Sequence, residues 1–157
     1  MMMHLLCEVL RTLEGKSLVT AESCTGGGIG AALTSVPGSS RVYKGGVICY
    51  SNWVKENTLG VPSELLSRYG AVSAPVAGAM ASGVRNLLQA DISVSVTGLA
   101  GPDGDEFGRE VGTVYIGCDT QSKSVVKRFL FSGDRESVRR QAVCAALELV
   151  LEMKKEN

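Results

Sequence analysis

A glycine-rich turn carries the first residues that could do chemistry. The stretch AESCTGGG, residues 21–28, places two hydroxyls and a thiol between an apolar segment and three glycines. Such a strand-to-helix turn exposes unpaired N–H groups and the positive end of a helix dipole, which suit a phosphate or an oxyanion. Ser23 or Thr25 could instead cap the helix and do no chemistry. The spacing matches neither a P-loop, since no lysine follows the glycines, nor a G-x-S-x-G elbow.

Lys55 is a candidate base for a serine nucleophile. It follows Tyr50 in CYSNWVK, residues 49–55, and we expect it in the first turn of a helix capped by Asn52. From an ordinary pKa of about 10.4, half-deprotonation at pH 7 requires a lowering of about 3.4, or roughly 4.6 kcal/mol. Burial, a helix N-terminus and neighbouring cations can together lower the pKa that far. The alternative is a solvated lysine beside a core tyrosine.

The sequence offers too few residues for a catalytic centre or a metal site that depends on histidine. The single histidine, His4, is expected in a frayed N-terminus, away from any acid or metal ligand. A Ser-His-Asp triad or a histidine-based metal site is therefore not expected. Asp103 and Asp105 alone are weak evidence for a metal, so we predict neither a metal nor a cofactor.

Two further segments could bind a ligand. Thr97 and Gly98 end a predicted strand and open the loop GLAGPDG, and glycine-rich loops at strand ends often approach ligands. Arg135 and Arg139 share a helix face at i, i+4 spacing, which suits bidentate binding of a phosphate. A plain surface loop and solvated arginines are the alternatives that spacing leaves open.

The elements that must position these residues alternate along the chain. Apolar periodicity and turn residues predict strands at 17–21, 41–51, 91–98, 111–119 and 124–132. They predict helices at 5–15, 29–36, 53–59, 62–70, 75–89 and 135–155, the last capped by Asp134. Alternating helices and strands that end in a hairpin indicate one α/β layered domain with a mixed sheet.

Composition restricts the class of protein and its partners. The 157 residues suit one domain, and 16 basic against 16 acidic residues leave no charge footprint for nucleic acid. Five cysteines without a Cys-x-x-Cys pair indicate a reducing compartment rather than a disulfide framework or zinc ribbon. No apolar run suits a signal peptide or a membrane span. We therefore expect a cytoplasmic protein with neither a nucleic-acid nor a membrane partner.

Six segments, taken in order, resemble the motifs of one family. They are AESCTGG, GGVICYSNWVKENTLGV, YGAVSAPVA, TGLAGPDG, VGTVYIG and FSGDRESVRRQAV. Together they resemble the CinA C-terminal domain family from about residue 5 to residue 153, and stand-alone members of that family are nicotinamide mononucleotide (NMN) deamidases. The resemblance implies a single domain over residues 1–157, folded as a three-layer α/β/α sandwich. It also implies hydrolysis of the NMN carboxamide to nicotinate mononucleotide and ammonia, in pyridine nucleotide recycling.

The resemblance also implies roles for single residues. Ser23 would be the nucleophile, and Lys55 with Tyr50 would complete an unusual serine–lysine centre. Lys55 would take the proton of Ser23, Tyr50 would orient the amine or relay a proton, and backbone N–H groups would meet the oxyanion. The residues expected to bind substrate, with the arginines on its 5′-phosphate, are Thr25, Gly26, Gly27, Thr97, Gly98, Arg135 and Arg139.

The sequence departs from the family pattern at residues 105–110. Many members carry a glycine-rich insert that ends in Lys-Pro, whereas this chain has DEFGRE, with Arg109 and Glu110 in place of that pair. A non-catalytic module that binds a nucleotide phosphate or a partner is therefore kept as the alternative function.

The cysteines, a small-residue helix and the length of the chain give three further expectations. We expect Cys24 and Cys49 to pack rather than react, because no imidazole is available to generate a thiolate. The alanine- and glycine-rich helix at 75–89 permits close packing, and we expect a homo-oligomer. The chain has no room for the molybdopterin-binding-like domain of longer relatives, so we expect no pyrophosphatase activity.

Overall fold

A five-stranded mixed sheet forms the centre of the computed structural model, which describes residues 2–155. The strand order is β2-β1-β3-β4-β5, with β1 parallel to β2 and β3 and the remaining neighbours antiparallel. The strands are β1 (Leu18–Glu22), β2 (Tyr43–Ile48), β3 (Ile92–Gly98), β4 (Thr113–Thr120) and β5 (Ser124–Leu130). The predicted mixed sheet is confirmed, including the β4–β5 hairpin.

Helices cover both faces of the sheet. Their bounds are α1 (Met2–Thr12), α2 (Gly28–Thr34), α3 (Asn52–Asn57), α4 (Ser63–Tyr69), α5 (Ala74–Leu88) and α6 (Arg135–Lys155). Buried side chains of α1, α2 and α6 form one core with the sheet, and those of α4 and α5 form a second core. The three-layer α/β/α sandwich predicted from the sequence is therefore confirmed. No helix within residues 2–155 is long and apolar enough to cross a bilayer.

The central strands bring the candidate residues together. Every residue of β1 is buried, as is most of β3, which is typical of strands covered on both faces. Glu22 at the end of β1 pairs with Val96 of β3, so Ser23 and Thr97 follow at the same edge of the sheet. The carboxyl ends of parallel strands are where ligands bind in open α/β sheets.

Three local expectations were wrong. Helix α1 begins at Met2, so His4 is an exposed helical residue rather than part of a frayed end. Strand β2 begins only at Tyr43, because a short 3₁₀ turn occupies residues 39–41 before it. Ser51, rather than Asn52, caps α3: its hydroxyl accepts the Val54 N–H at 3.3 Å, and Asn52 is the first helical residue.

The cap predicted for the final helix is confirmed. Asp134 Oδ1 accepts the N–H of Ser137 at 2.9 Å, which satisfies one of the unpaired donors at the start of α6.

Candidate active site

Ser23 and Lys55 contact each other at the carboxyl edge of the sheet. Ser23 directly follows β1, and Lys55 lies on α3, which begins shortly after the neighbouring strand β2. Lys55 Nζ lies 2.9 Å from Ser23 Oγ. Only 1% of Lys55 and 7% of Ser23 is exposed, so the amine and the hydroxyl meet largely out of water.

The surroundings of Lys55 suit a neutral amine. Its Nζ lies 2.8 Å from the carbonyl oxygen of Cys49 and 3.4 Å from that of Tyr50. A neutral amine has two N–H donors for these carbonyls and one lone pair, which would face Ser23 Oγ. No carboxylate within residues 2–155 forms an ion pair with Lys55. An uncompensated buried cation is costly, so the neutral form is favoured.

Burial lowers the pKa of Lys55 below its ordinary 10.5, and the thiols of Cys49 and Cys24 oppose this effect only in part. Lys55 is the fourth residue of α3, one position later than a helix capped by Asn52 would place it. The lowering of its pKa is caused by desolvation on burial, rather than by a neighbouring cation.

The two neighbouring cysteines are buried thiols. Burial raises the pKa of Cys24 and of Cys49 to about 11 each, which leaves both protonated at neutral pH. Cys24 packs in the core beneath α1, α2 and α6, whereas Cys49 packs in the core on the other face of the sheet. These environments agree with the expectation that both side chains pack rather than react.

Glu22 is a structural residue of the site that the sequence reasoning missed. It is 1% exposed, and its carboxylate accepts the Thr25 hydroxyl at 2.7 Å and the N–H groups of Ile29 and Gly30 at 2.7 and 3.0 Å. The N-cap of α2 is Gly27, which has no side chain, so Glu22 caps that helix from the adjacent strand. An acid at the end of a buried strand, followed by a glycine N-cap, was the available signal.

A cleft of about 380 Å³ opens above the Ser23–Lys55 pair. Among the expected site residues, Tyr50, Thr97, Gly98 and Arg135 line it. Thr25, Gly26, Gly27 and Arg139 are not part of its lining, and the Thr25 hydroxyl is engaged by Glu22 instead. Two polar residues that the sequence reasoning did not assign, Asn52 and Asp103, also line the cleft.

Thr97 and Gly98 shape one wall of the cleft. The Thr97 hydroxyl donates to the carbonyl oxygen of Ala71 at 2.9 Å and ties the segment before α5 to strand β3. A Cβ at Gly98 would lie 2.6 Å from Val114 Cγ2, so this position has no room for a side chain.

Arg135 and Tyr50 meet at the rim of the cleft. Arg135 donates from Nη1 to the carbonyl of Gly101 at 2.6 Å and from Nη2 to the Tyr50 hydroxyl at 3.2 Å. Tyr50 is 62% exposed, and it contacts Lys55 through its backbone carbonyl, not its phenol. The structure therefore brings Tyr50 to Arg135 rather than bringing its hydroxyl to the serine–lysine pair.

The altered loop at 105–110 folds against the end of α4, and none of its residues lines the cleft. Arg109 donates from Nη1 to Asp105 Oδ2 at 3.1 Å and from Nη2 to the carbonyl of Tyr69 at the end of α4. Asp105 Oδ1 accepts the N–H groups of Phe107 and Arg109. The hydrogen bonds of Arg109 thus hold the loop against the end of α4, and Arg109 itself does not line the cleft.

Replacing Arg109 with leucine should loosen this loop. Loss of the charged hydrogen bonds is expected to lower the free energy of unfolding by about 1–2 kcal/mol. Amide hydrogen exchange should accelerate mainly at residues 101–110. The exposed Arg128→Leu is the matched control. Equal rates of amide hydrogen exchange at residues 101–110 in wild type and Arg109→Leu would show that the hydrogen bonds of Arg109 do not hold the loop.

No group of three or more His, Cys, Asp or Glu side chains within residues 2–155 is arranged to hold a metal ion. The chemistry available to the described residues is that of a buried hydroxyl beside a buried amine, at the base of a cleft with an arginine at its rim. Fold and site together define a small α/β/α protein in which a buried serine hydroxyl contacts a buried lysine amine.

The chain belongs to the CinA C-terminal domain family, whose model matches residues 3–154. It is 47% identical over 136 residues to the nicotinamide-nucleotide amidohydrolase PncC of Pseudomonas putida, covering 87% of this chain and 85% of the relative. It is 48% identical over 132 residues to a CinA-like protein of Gemmatimonas aurantiaca, covering 84% of this chain. The chain spans about a third of that longer relative, 31% of its length.

Solved structures show the same fold. A CinA superfamily protein of Klebsiella pneumoniae is similar with a TM-score of 0.97 and 36% identity, covering 100% of this chain and 99% of that one. A CinA superfamily protein of Escherichia coli is similar with a TM-score of 0.95 and 34% identity, covering 98% of this chain and 90% of that one.

Proposed function

We propose that the protein hydrolyses the carboxamide of NMN to nicotinate mononucleotide and ammonia, as an amidase of pyridine nucleotide recycling. The contact between Lys55 Nζ and Ser23 Oγ, 2.9 Å long and buried, carries the proposal. The name of the Pseudomonas putida relative, which this chain matches over 85% of its length, supports the choice of substrate.

In the first half-reaction, Ser23 attacks the amide carbon. Lys55 accepts the Ser23 proton as the new C–O bond forms, because a neutral buried amine is the base within reach. The tetrahedral intermediate collapses with cleavage of the C–N bond. The protonated Lys55 returns that proton to the departing nitrogen, so ammonia leaves and a nicotinoyl ester remains on Ser23.

In the second half-reaction, water attacks the ester. Lys55 is neutral again after ammonia leaves, so it can accept a proton from the attacking water and return one to Ser23 Oγ. Nicotinate mononucleotide is released and the serine hydroxyl is restored. The cycle consumes one water for each ammonia formed.

Backbone N–H groups of the nucleophile loop stabilise the oxyanion. The Gly26 N–H donates to the carbonyl of Ser23 at 3.0 Å and is engaged. The N–H groups of Cys24 and Thr25 have no acceptor within residues 2–155, and Cys24 lines the cleft. These two groups are therefore better oxyanion donors than that of Gly26.

Arg135 binds the 5′-phosphate, supported by its place at the rim of the cleft and its hydrogen bond to Tyr50. We expect Arg135→Gln to raise the KM for NMN about tenfold, the cost of one charged hydrogen bond. Nicotinamide riboside, which lacks the phosphate, should be affected much less. The check is the ratio of KM values for the two substrates. An equal change for both would contradict phosphate binding.

Localisation and assembly remain part of the proposal. All five cysteines are free thiols, which supports a reducing, cytoplasmic location. A homo-oligomer and a single functional unit over residues 1–157 are kept as predictions.

A non-catalytic binding module was favoured by the altered loop at 105–110. That support is weak now that Arg109 hydrogen-bonds to Tyr69 and Asp105 outside the cleft lining. A binder also has no need for an amine that is buried against a serine with no carboxylate partner within residues 2–155.

Release of ammonia from NMN tests the proposed function. The purified protein is incubated with NMN, and both ammonia and nicotinate mononucleotide are quantified. We expect the two products in equal amounts, with none from a heat-denatured sample. A folded protein that binds NMN without forming either product would support the binding module instead.

A further inference from the structure

Arg139 contacts the nucleophile loop from outside the cleft. It lies on α6, in the helical layer opposite to the one that carries Lys55. Its Nε donates to the carbonyl oxygen of Cys24 at 3.1 Å, and its Nη2 donates to that of Thr25 at 3.2 Å. One guanidinium therefore holds two consecutive carbonyls directly after Ser23.

These contacts determine where the peptide N–H groups point. In a trans peptide the carbonyl and the following N–H point in opposite directions. Because the Cys24 carbonyl faces Arg139, the N–H of Thr25 faces away from it. That N–H has no acceptor within residues 2–155, although Thr25 is only 1% exposed. A buried N–H without an acceptor is rare and is costly to leave unpaired.

Glu22 fixes the other end of the same loop. Its bonds to the Thr25 hydroxyl and to the N–H groups of Ile29 and Gly30 anchor the side chain of Thr25 and the start of α2. They do not hold the carbonyls of residues 24 and 25. Gly26 and Gly27 have positive φ angles, so the backbone between the two anchors is conformationally permissive. The Gly28 N–H also donates to the Thr25 carbonyl at 3.0 Å, whereas Arg139 is the partner of the Cys24 carbonyl within residues 2–155. Arg139 therefore sets the direction of the peptide unit between Cys24 and Thr25.

We propose that Arg139 is a positioning residue, which orients the peptide unit between Cys24 and Thr25 so that the free Thr25 N–H can meet the oxyanion. This inference rests on the proposed acyl transfer at Ser23. It differs from the role that the family resemblance implied, in which Arg139 binds substrate. A donor held before the reaction stabilises the charge that develops on the carbonyl oxygen without having to reorganise.

The two arginines of α6 should therefore affect different kinetic constants. Loss of Arg139 removes an effect that is realised in the transition state, so it should lower kcat. Loss of Arg135 removes binding that the ground state already has, so it should raise KM. The pair provides an internal comparison on one helix.

The test compares Arg139→Gln with Arg135→Gln. We expect Arg139→Gln to lower kcat for NMN about tenfold to a hundredfold, with KM changed by less than about twofold. Arg139→Lys, which keeps one cationic donor, should recover part of kcat. Arg140→Gln is the matched control, because the Arg140 side chain is exposed and makes only a long ion pair, with 3.9 Å between its Nη1 and Glu136 Oε1. Urea unfolding of each variant separates lost rate from lost fold.

A second measurement does not depend on NMN. Phenylmethylsulfonyl fluoride transfers its sulfonyl group to an activated serine, and fluoride leaves. The sulfonyl oxygens then occupy the place of the amide oxygen, and mass spectrometry locates the label. We expect the second-order rate at Ser23 to fall in Arg139→Gln and to stay near the wild-type value in the control Arg140→Gln. If wild type fails to hydrolyse NMN, the proposed function fails, and the sulfonylation rates alone decide the role of Arg139.

Three results would overturn the inference. A raised KM with unchanged kcat in Arg139→Gln would make Arg139 a substrate-binding residue. Unchanged kcat and unchanged sulfonylation would show that the loop needs no such support. A wild type that neither hydrolyses NMN nor becomes labelled at Ser23 would overturn this inference and the nucleophile together.

Discussion

Alanine at position 23 should abolish deamidation while leaving the protein folded. We expect Ser23→Ala to lower kcat at least about a thousandfold, because no ester intermediate can form without the hydroxyl. Ser23 is small and lies at the base of the cleft, so the cavity left by one oxygen costs little packing. The measurement is ammonia release from NMN under saturating conditions.

Binding of NMN should survive this substitution. Calorimetric titration of Ser23→Ala with NMN gives the first dissociation constant, and titration of wild type with the product, nicotinate mononucleotide, gives the second. We expect the two constants to agree within about threefold, because the contacts at the rim of the cleft are intact. Ser67→Ala, which removes an exposed hydroxyl of α4, is the matched control. Turnover by Ser23→Ala at the wild-type rate would remove Ser23 as nucleophile.

Substitution of Lys55 should have an effect of similar size on the rate. Lys55→Met removes the general base and fills a similar volume, and we expect a loss of about a thousandfold in kcat. Lys55→Arg should not restore activity, because a guanidinium stays protonated and cannot accept the Ser23 proton. Activity of Lys55→Arg close to wild type would contradict a role in proton transfer.

The same lysine should make both rate and stability rise with pH. Only the neutral amine is a base, so kcat/KM should increase as pH rises through the lowered pKa of Lys55 and then level off. Between that pKa and 10.5, the unfolded chain binds more protons at Lys55 than the folded protein does. The free energy of unfolding should therefore rise with pH across this interval.

Urea unfolding at several pH values tests the stability effect. The free energy of unfolding of Lys55→Met, relative to that of wild type, should be highest at the lowest pH. This difference should become smaller as the pH rises. Lys16→Met, a substitution of an exposed lysine, is the control. A constant difference between wild type and Lys55→Met across the interval would show that the pKa of Lys55 is the same in the folded and unfolded states.

The sheet and its layers were predictable because their signals are local and repeated. Buried strands such as β1 read as short apolar runs, and helices read as periodic segments with caps such as Asp134. Boundaries were less accurate where two residue types could serve equally. Ser51 and Asn52 are both good N-caps, and only the path of the chain after β2 decides between them.

The pairing of Ser23 with Lys55 was suggested by elimination, since the only histidine is far from the glycine-rich turn in sequence. The cause of the lowered Lys55 pKa could not be predicted in the same way, because burial depends on how α3 packs on the sheet. The contacts of Glu22 and Arg139 could not be predicted from the sequence for a related reason. Their partners are backbone groups of a loop, and backbone groups carry no sequence signal.

The charge of the Lys55 amine in the resting protein decides whether this lysine can act as the base for Ser23. A nuclear magnetic resonance titration of lysine side chains labelled with ¹³C and ¹⁵N, assigned by comparison with Lys55→Met, follows this amine alone. We expect it to lose its proton below pH 10.5, with a midpoint that coincides with the rise of kcat/KM. An amine that stays protonated while kcat/KM rises to its plateau would contradict the account.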